Sequence, residues 1–140
     1  MGVVKYLPAD YPEINTWWAH YWGHSVPEAI LPPTGFVVPG RAAGFVIFSD
    51  TPMCFLEFVV ANPTISPALK AESIQLSIEA VKEACQNRHH NYVHYTMSPN
   101  KAYHKLLERA GFDKGEELTS YVTTVGIDAA TFKRSATKNE

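Results

Sequence analysis

Apolar and polar positions along the chain alternate in blocks whose period changes several times. Val3 to Leu7 reads as a short first strand, and after Pro8 to Pro12 the spacing Ile14, Trp17, Trp18, Tyr21 follows one face of a helix over Glu13 to Tyr21. Pro27, Pro32 and Pro33 break Gly23 to Pro33 into a loop with one short helical turn at Pro27 to Ile30. Gly35-Phe-Val-Val-Pro and Ala43-Gly-Phe-Val-Ile-Phe-Ser, joined at Gly40-Arg41, predict an antiparallel hairpin. Met53 to Ala61 is almost continuously apolar, which suits a central strand buried on both faces, and Glu57 is its one charge.

Ser66-Pro67 supplies an N-cap and first-turn proline for a helix reaching Asn87, with Ile74, Ile78, Val81 and Cys85 on its buried face. Asn91 to Met97 is a further strand. Ser98-Pro99 opens a helix over Asn100 to Ala110 that stops at Gly111, and Glu117 to Val125 closes the sheet. The sum is an α/β (α+β) sandwich: a mixed, mostly antiparallel sheet flanked by helices. It is expected as one domain over residues 1–126, followed by a polar tail over 127–140 that loses apolar periodicity.

Composition agrees with a packed core, since 46% of the 140 residues are hydrophobic and 19% charged. The formal net charge of −2 gives no global electrostatic basis for nucleic-acid or membrane binding. No run approaches the roughly 18 apolar residues needed to span a bilayer, so a cytoplasmic protein is expected. Cys54 and Cys85 fall within a strand and a helix pattern, where a thiol reads as a small buried hydrophobe in a reducing compartment. His20 and His24 are four residues apart, as are His90 and His94, but Gly23 interrupts the first pair and a strand pattern the second, so no metal is expected. No Gly-x-Ser-x-Gly elbow or Walker loop is present, which argues against hydrolase and nucleotide-hydrolysing readings.

Two landmarks narrow the fold. The long strand runs into Asn62-Pro63, and the last helix ends Leu107-Glu-Arg-Ala-Gly-Phe112. Over Phe36 to Val125 this order resembles the GNAT superfamily of acyl-CoA-dependent N-acetyltransferases, and Leu31-Pro-Pro-Thr-Gly-Phe36 resembles small phage-encoded members. The resemblance implies that acetyl-CoA serves as co-substrate, with pantetheine pairing along Phe58, Val59 and Val60 as an added strand. It also implies phosphates facing Ser66, Ala68, Leu69, Lys70 and Ala71 at a helix N-terminus, with Asn100 nearby. Family members carry glycines in this loop, whereas Ser66-Pro-Ala-Leu-Lys-Ala71 has none and Pro67 removes a donor.

Transfer to an amine needs a base, and Glu57 is the candidate, with solvent exposure or pairing to Arg41 as the alternative reading. The family's acidic tyrosine stands four residues before the closing glycine, a position held here by Leu107. Tyr103, one turn earlier, and Ser98 are the candidate acids, and packing on an amphipathic helix is the alternative for Tyr103. Trp17, Trp18, Tyr21 and Trp22 would line an acceptor pocket for a small-molecule or protein amine, the alternative being sheet packing and a homodimer contact. The leading expectation is an N-acetyltransferase. The rival is an inactive GNAT-like binding protein, phage-encoded and acting on a protein partner.

Overall fold

The computed structural model describes residues 2–95 and 101–115, together with 121, 123, 125 and 126, and for 101–103 it describes the backbone alone. Ser98, Asn100, the tail over 127–140 and most of the strand expected at Glu117 to Val125 lie outside these residues. The elements are β1 (Val4–Lys5), α1 (Tyr11–Trp22), β2 (Gly35–Val38), β3 (Ala42–Phe48), β4 (Met53–Ala61), α2 (Pro67–Asn87), β5 (Tyr92–Tyr95) and α3 (Lys101–Arg109). A 3-10 turn at Glu28–Ile30 sits where the prolines predict a helical turn. The five strands lie side by side in chain order, the first four antiparallel and β5 parallel to β4. The architecture is therefore mixed α+β with a mostly antiparallel sheet, as the sequence pattern implies.

Each helix end has a local cause. Pro12 occupies the first turn of α1, and Gly23 ends it in the left-handed region at φ 74°. Ser66 caps α2, its Oγ accepting from the Leu69 N–H at 3.2 Å. At the end of α3, the Phe112 N–H donates to Leu107 O and the Gly111 N–H to Glu108 O, both at 3.0 Å, with Gly111 at φ 89°. This is a Schellman stop, and Leu107 and Phe112 pack against the same core cluster, as that motif requires. The Leu107-to-Phe112 landmark is thus explained by helix termination.

Asn62, the other landmark, is a turn former and a tie. Its Oδ1 accepts from the Thr64 N–H at 3.0 Å and hydroxyl at 2.8 Å, while its Nδ2 donates to Gly40 O at 2.9 Å. The hairpin tip between β2 and β3 is thereby fastened to the turn between β4 and α2.

The core has two compartments, one on each face of the sheet. On one, Val46, Cys54, Leu56, Val59 and Ala61 meet Ile74, Ile78, Val81 and Cys85 of α2 and Leu106 and Ala110 of α3. Helix α2 approaches closely because Gly44 of β3 faces the buried Ser77, and a Cβ at Gly44 would lie 3.3 Å from its Oγ. On the other face, Val37, Ala43, Phe45 and Val60 meet Ile14, Trp17 and Trp18 of α1. Helix α1 covers only part of that face, so β4 departs from the expected burial on both sides: Met53, Phe55 and Glu57 remain half-buried. No helix among the described residues is long and apolar enough to cross a membrane.

The cysteines are both buried, as expected of small hydrophobes, but their chemistry differs from the expectation. Helix α2 lies across β4 with Cys85 over Cys54, their Cα atoms 6.6 Å apart, and the two sulfurs form a disulfide. A sequence separation of 31 residues gave no sign of that juxtaposition, and the cysteine argument for a reducing compartment falls. Reduction, or Cys85→Ala, is expected to cost about 2–4 kcal/mol, read as a lower midpoint in guanidinium unfolding. Equal midpoints with and without reductant would show that the cross-link does not form in solution.

Candidate functional site

The chain from β4 through α2 to β5 is a βαβ crossover, which brings the carboxyl ends of two parallel strands and a helix N-terminus to one end of the sheet. The parallel pairing runs from Met53 opposite Tyr92 to Leu56 opposite Tyr95. Among the described residues, Glu57 to Ala61 have no partner on that side and pair only with β3. The described pairing of β4 with β5 thus ends at Leu56, and α2 starts a short turn beyond the far end of β4.

A bulge re-aims β4 at this point. Phe45 lies opposite Glu57 and Ala43 opposite Val60, so β4 carries one residue more than β3 across the interval. The extra residue is accommodated by Phe58 at φ 55°, in the left-handed region a phenylalanine rarely enters, at a cost of order 1–3 kcal/mol. Packing holds it there: Trp18 Nε1 donates to Phe58 O at 3.2 Å, and the Phe58 ring meets those of Trp18 and Phe45 edge-on at 6.1 and 6.4 Å. The sequence carries no signal for this bulge, because the position expected to need a glycine holds a phenylalanine.

Strand alternation sends Cys54 and Leu56 toward α2 and Phe55 and Glu57 to the opposite face. Glu57 has no hydrogen bond or ion pair among the described residues, and the one ion pair there joins Lys82 to Glu79. Arg41 is therefore not its partner. Burial pushes the Glu57 carboxyl above the ordinary carboxylate range. On the same face His94, which the sequence offered only as half of the discounted His90–His94 metal pair, lies beside Phe55, their rings edge-on at 5.6 Å.

At the N-terminus of α2, Pro67 has no N–H, the Leu69 N–H is taken by Ser66 Oγ, and the Lys70 N–H donates to Ser66 O at 2.9 Å. Ala68 is left as the first-turn donor facing outward, and Ala71 belongs to the turn behind it. The Lys70 ammonium sits 5.7 Å from the centre of the Tyr21 ring, which brings the end of α1 against the start of α2. Val59 and Val60 are buried with the two core compartments.

The aromatic segment divides. Trp17 and Trp18 are buried core residues, whereas Trp22 stacks on Trp18 at 6.2 Å and reaches the surface, as does Tyr21. Tyr103 lies within α3, its side chain outside what is described, and Ser98 and Asn100 are outside altogether. No group of three or more His, Cys, Asp or Glu residues capable of holding a metal occurs among the described residues. A groove of about 600 Å³ lies elsewhere, along the C-terminal half of α2 by Lys5, Phe36, Phe48, Glu83 and Arg88, and contains none of the residues above.

Glu57 makes a pH-dependent prediction. Its pKa is higher folded than unfolded, so its contribution favours the folded state while protonated and is lost as pH rises through the folded value. Glu57→Gln should therefore unfold at a higher temperature than wild type at about pH 8, and the gap should close near pH 4. A constant gap across that range would mean the carboxyl is not desolvated.

No protein-family model and no curated protein matches the sequence. Among solved structures, an Agrobacterium tumefaciens protein named as an acetyltransferase aligns with a TM-score of 0.69 at 15% identity, over 88% of this chain and 100% of its own. A Trypanosoma brucei acetyltransferase aligns with a TM-score of 0.64 at 14% identity, over 86% of this chain and 97% of its own. Element order and these alignments agree: the chain has a GNAT-like fold.

Proposed function

We propose that the chain is an N-acetyltransferase that moves an acetyl group directly from acetyl-CoA to an amine. The observation that carries this reading is Glu57: a desolvated carboxyl with no hydrogen bond or ion pair among the described residues, placed next to the last described β4–β5 pair and on the strand that leads to the N-terminus of α2. Pantetheine would lie along Phe58, Val59 and Val60, and the phosphates would face Ser66, Ala68 and Leu69, with Lys70, Ala71 and Asn100 beside them. Tyr21 and Trp22 would border the acceptor, with Trp17 and Trp18 as their support.

In the reaction the acceptor reaches the site as an ammonium, and Glu57, directly or through water, removes its proton. The freed nitrogen lone pair attacks the thioester carbonyl, the C–S bond breaks with its electrons on sulfur, the thiolate takes a proton from Tyr103 or Ser98, and that side chain regains one from the surplus proton on the new amide nitrogen. An ordinary carboxylate is a weak base toward an amine of pKa near 10. Each unit by which burial raises Glu57 closes that gap by about 1.4 kcal/mol.

One observation favours the rival reading, a GNAT-like protein without catalysis that binds a protein partner, phage-encoded as the Leu31 to Phe36 segment suggests. Ser66 occupies the very amide that phosphates would use. The two readings separate by thermal unfolding with acetyl-CoA, where ligand at 100 times its Kd adds about 2.7 kcal/mol of stability. The enzyme reading expects that shift. It also expects Glu57→Gln to lose transfer by about 10²–10⁴-fold while keeping the shift. No shift at millimolar cofactor favours the binding protein, and unchanged turnover in Glu57→Gln removes Glu57 from the mechanism.

A further inference from the structure

We infer that the acceptor carries its amine on an apolar, aromatic-sized body, which lies on a strip of sheet formed by Ile47, Met53, Phe55, Tyr92 and His94. This rests on the acetyltransferase reading above. Glu57 projects from the sheet face opposite α2, so an amine that reaches it must approach across that face. The pairing register then fixes its neighbours. Ile47 lies opposite Phe55, Phe55 opposite His94, and Met53 opposite Tyr92, while Phe45 lies opposite Glu57 itself.

Alternation confirms that these side chains share the face. Val46, Phe48, Cys54, Leu56, Val93 and Tyr95 all pack toward α2, so the residues between them point the other way. Helix α1 covers Phe45 and Val60 but stops short of the strip, leaving Ile47 42% and Tyr92 64% exposed. Single exposed apolar residues need no explanation, but a contiguous patch drawn from three adjacent strands is characteristic of a binding surface. Three strands span about 10 Å and Met53 to Glu57 about 13 Å, enough for one or two rings beside the carboxyl.

Charge selects among amines. Phe45, Ile47, Met53, Phe55, Tyr92 and His94 bring no carboxylate, so among the described residues Glu57 is the one acid on the strip. A polyamine or a lysine-rich peptide would find a partner for one cation and bury the others' surroundings against apolar groups. An arylalkylamine places its one cation at Glu57 and its ring over Phe55 and Ile47, with the edge-on Phe55–His94 pair below it.

The test compares 2-phenylethylamine, spermidine and a lysine-containing tetrapeptide in calorimetric binding to the CoA-saturated protein and in turnover with acetyl-CoA. The aromatic amine should bind and turn over at least about tenfold better than either rival, equal to about 1.4 kcal/mol. Ile47→Ser, a change at an exposed position, should weaken the aromatic amine by a similar factor and leave the acetyl-CoA thermal shift unchanged. Preference for spermidine or the peptide, equal use of all three, or no effect of Ile47→Ser overturns the inference while acetyl transfer stands. If no amine is turned over, the acetyltransferase reading fails separately and the strip is judged by binding alone. Weaker phenylethylamine binding in Ile47→Ser than in wild type then supports it, and indistinguishable binding overturns it.

Discussion

The bulge that turns β4 through a left-handed backbone at Phe58 is the constraint on which the rest of this structure depends. A sheet interior normally satisfies every backbone group through its neighbours, so the residue that the bulge displaces from the β3–β4 ladder needs support from elsewhere. Here it comes from both faces. Helix α1 reaches over the sheet to bond the Phe58 carbonyl through Trp18, and α2 is drawn close from behind by the small contacts at Gly44 and Ser77 and by the Cys54–Cys85 cross-link. The strained Phe58 backbone is held by the Trp18 hydrogen bond and by the Trp18 and Phe45 rings packed on its own.

The same arrangement accounts for the polarity of the site. The βαβ crossover makes the strand carboxyl ends and the α2 N-terminus coincide, so a group able to carry out proton transfer and a helix end able to attract anions stand at the same rim. Lys70 adds a cation there and is kept at the rim by the Tyr21 ring. Because α1 covers one half of the outer sheet face and not the other, the carboxyl of Glu57 stands at a boundary between core and surface. That position desolvates it without sealing it away.

Much of the framework was legible in the sequence because it is local. Ser66 and Pro67 announce the start of α2, Gly111 and Phe112 the end of α3, and Gly40 the hairpin turn, each through backbone geometry that few other residues satisfy. The candidate site was less legible because its decisive features join residues distant along the chain. Phe58 looks like an ordinary strand residue until Trp18, forty positions earlier, is seen to hold its carbonyl. Cys54 and Cys85 looked like two hydrophobes until the helix lay across the strand. Trp17 and Trp18 read equally as pocket or as core in sequence, since the helical period gives the face but not how far a sheet extends beneath it.

Asn62 gives the fold a mechanical property. Its single side chain joins the tip of the β2–β3 hairpin to the turn that launches α2, so the loop at one corner and the helix entrance cannot shift independently. One side-chain amide thus links two loops that stand 22 residues apart in the chain, and the hairpin tip takes its place from the same side chain that shapes the approach to α2.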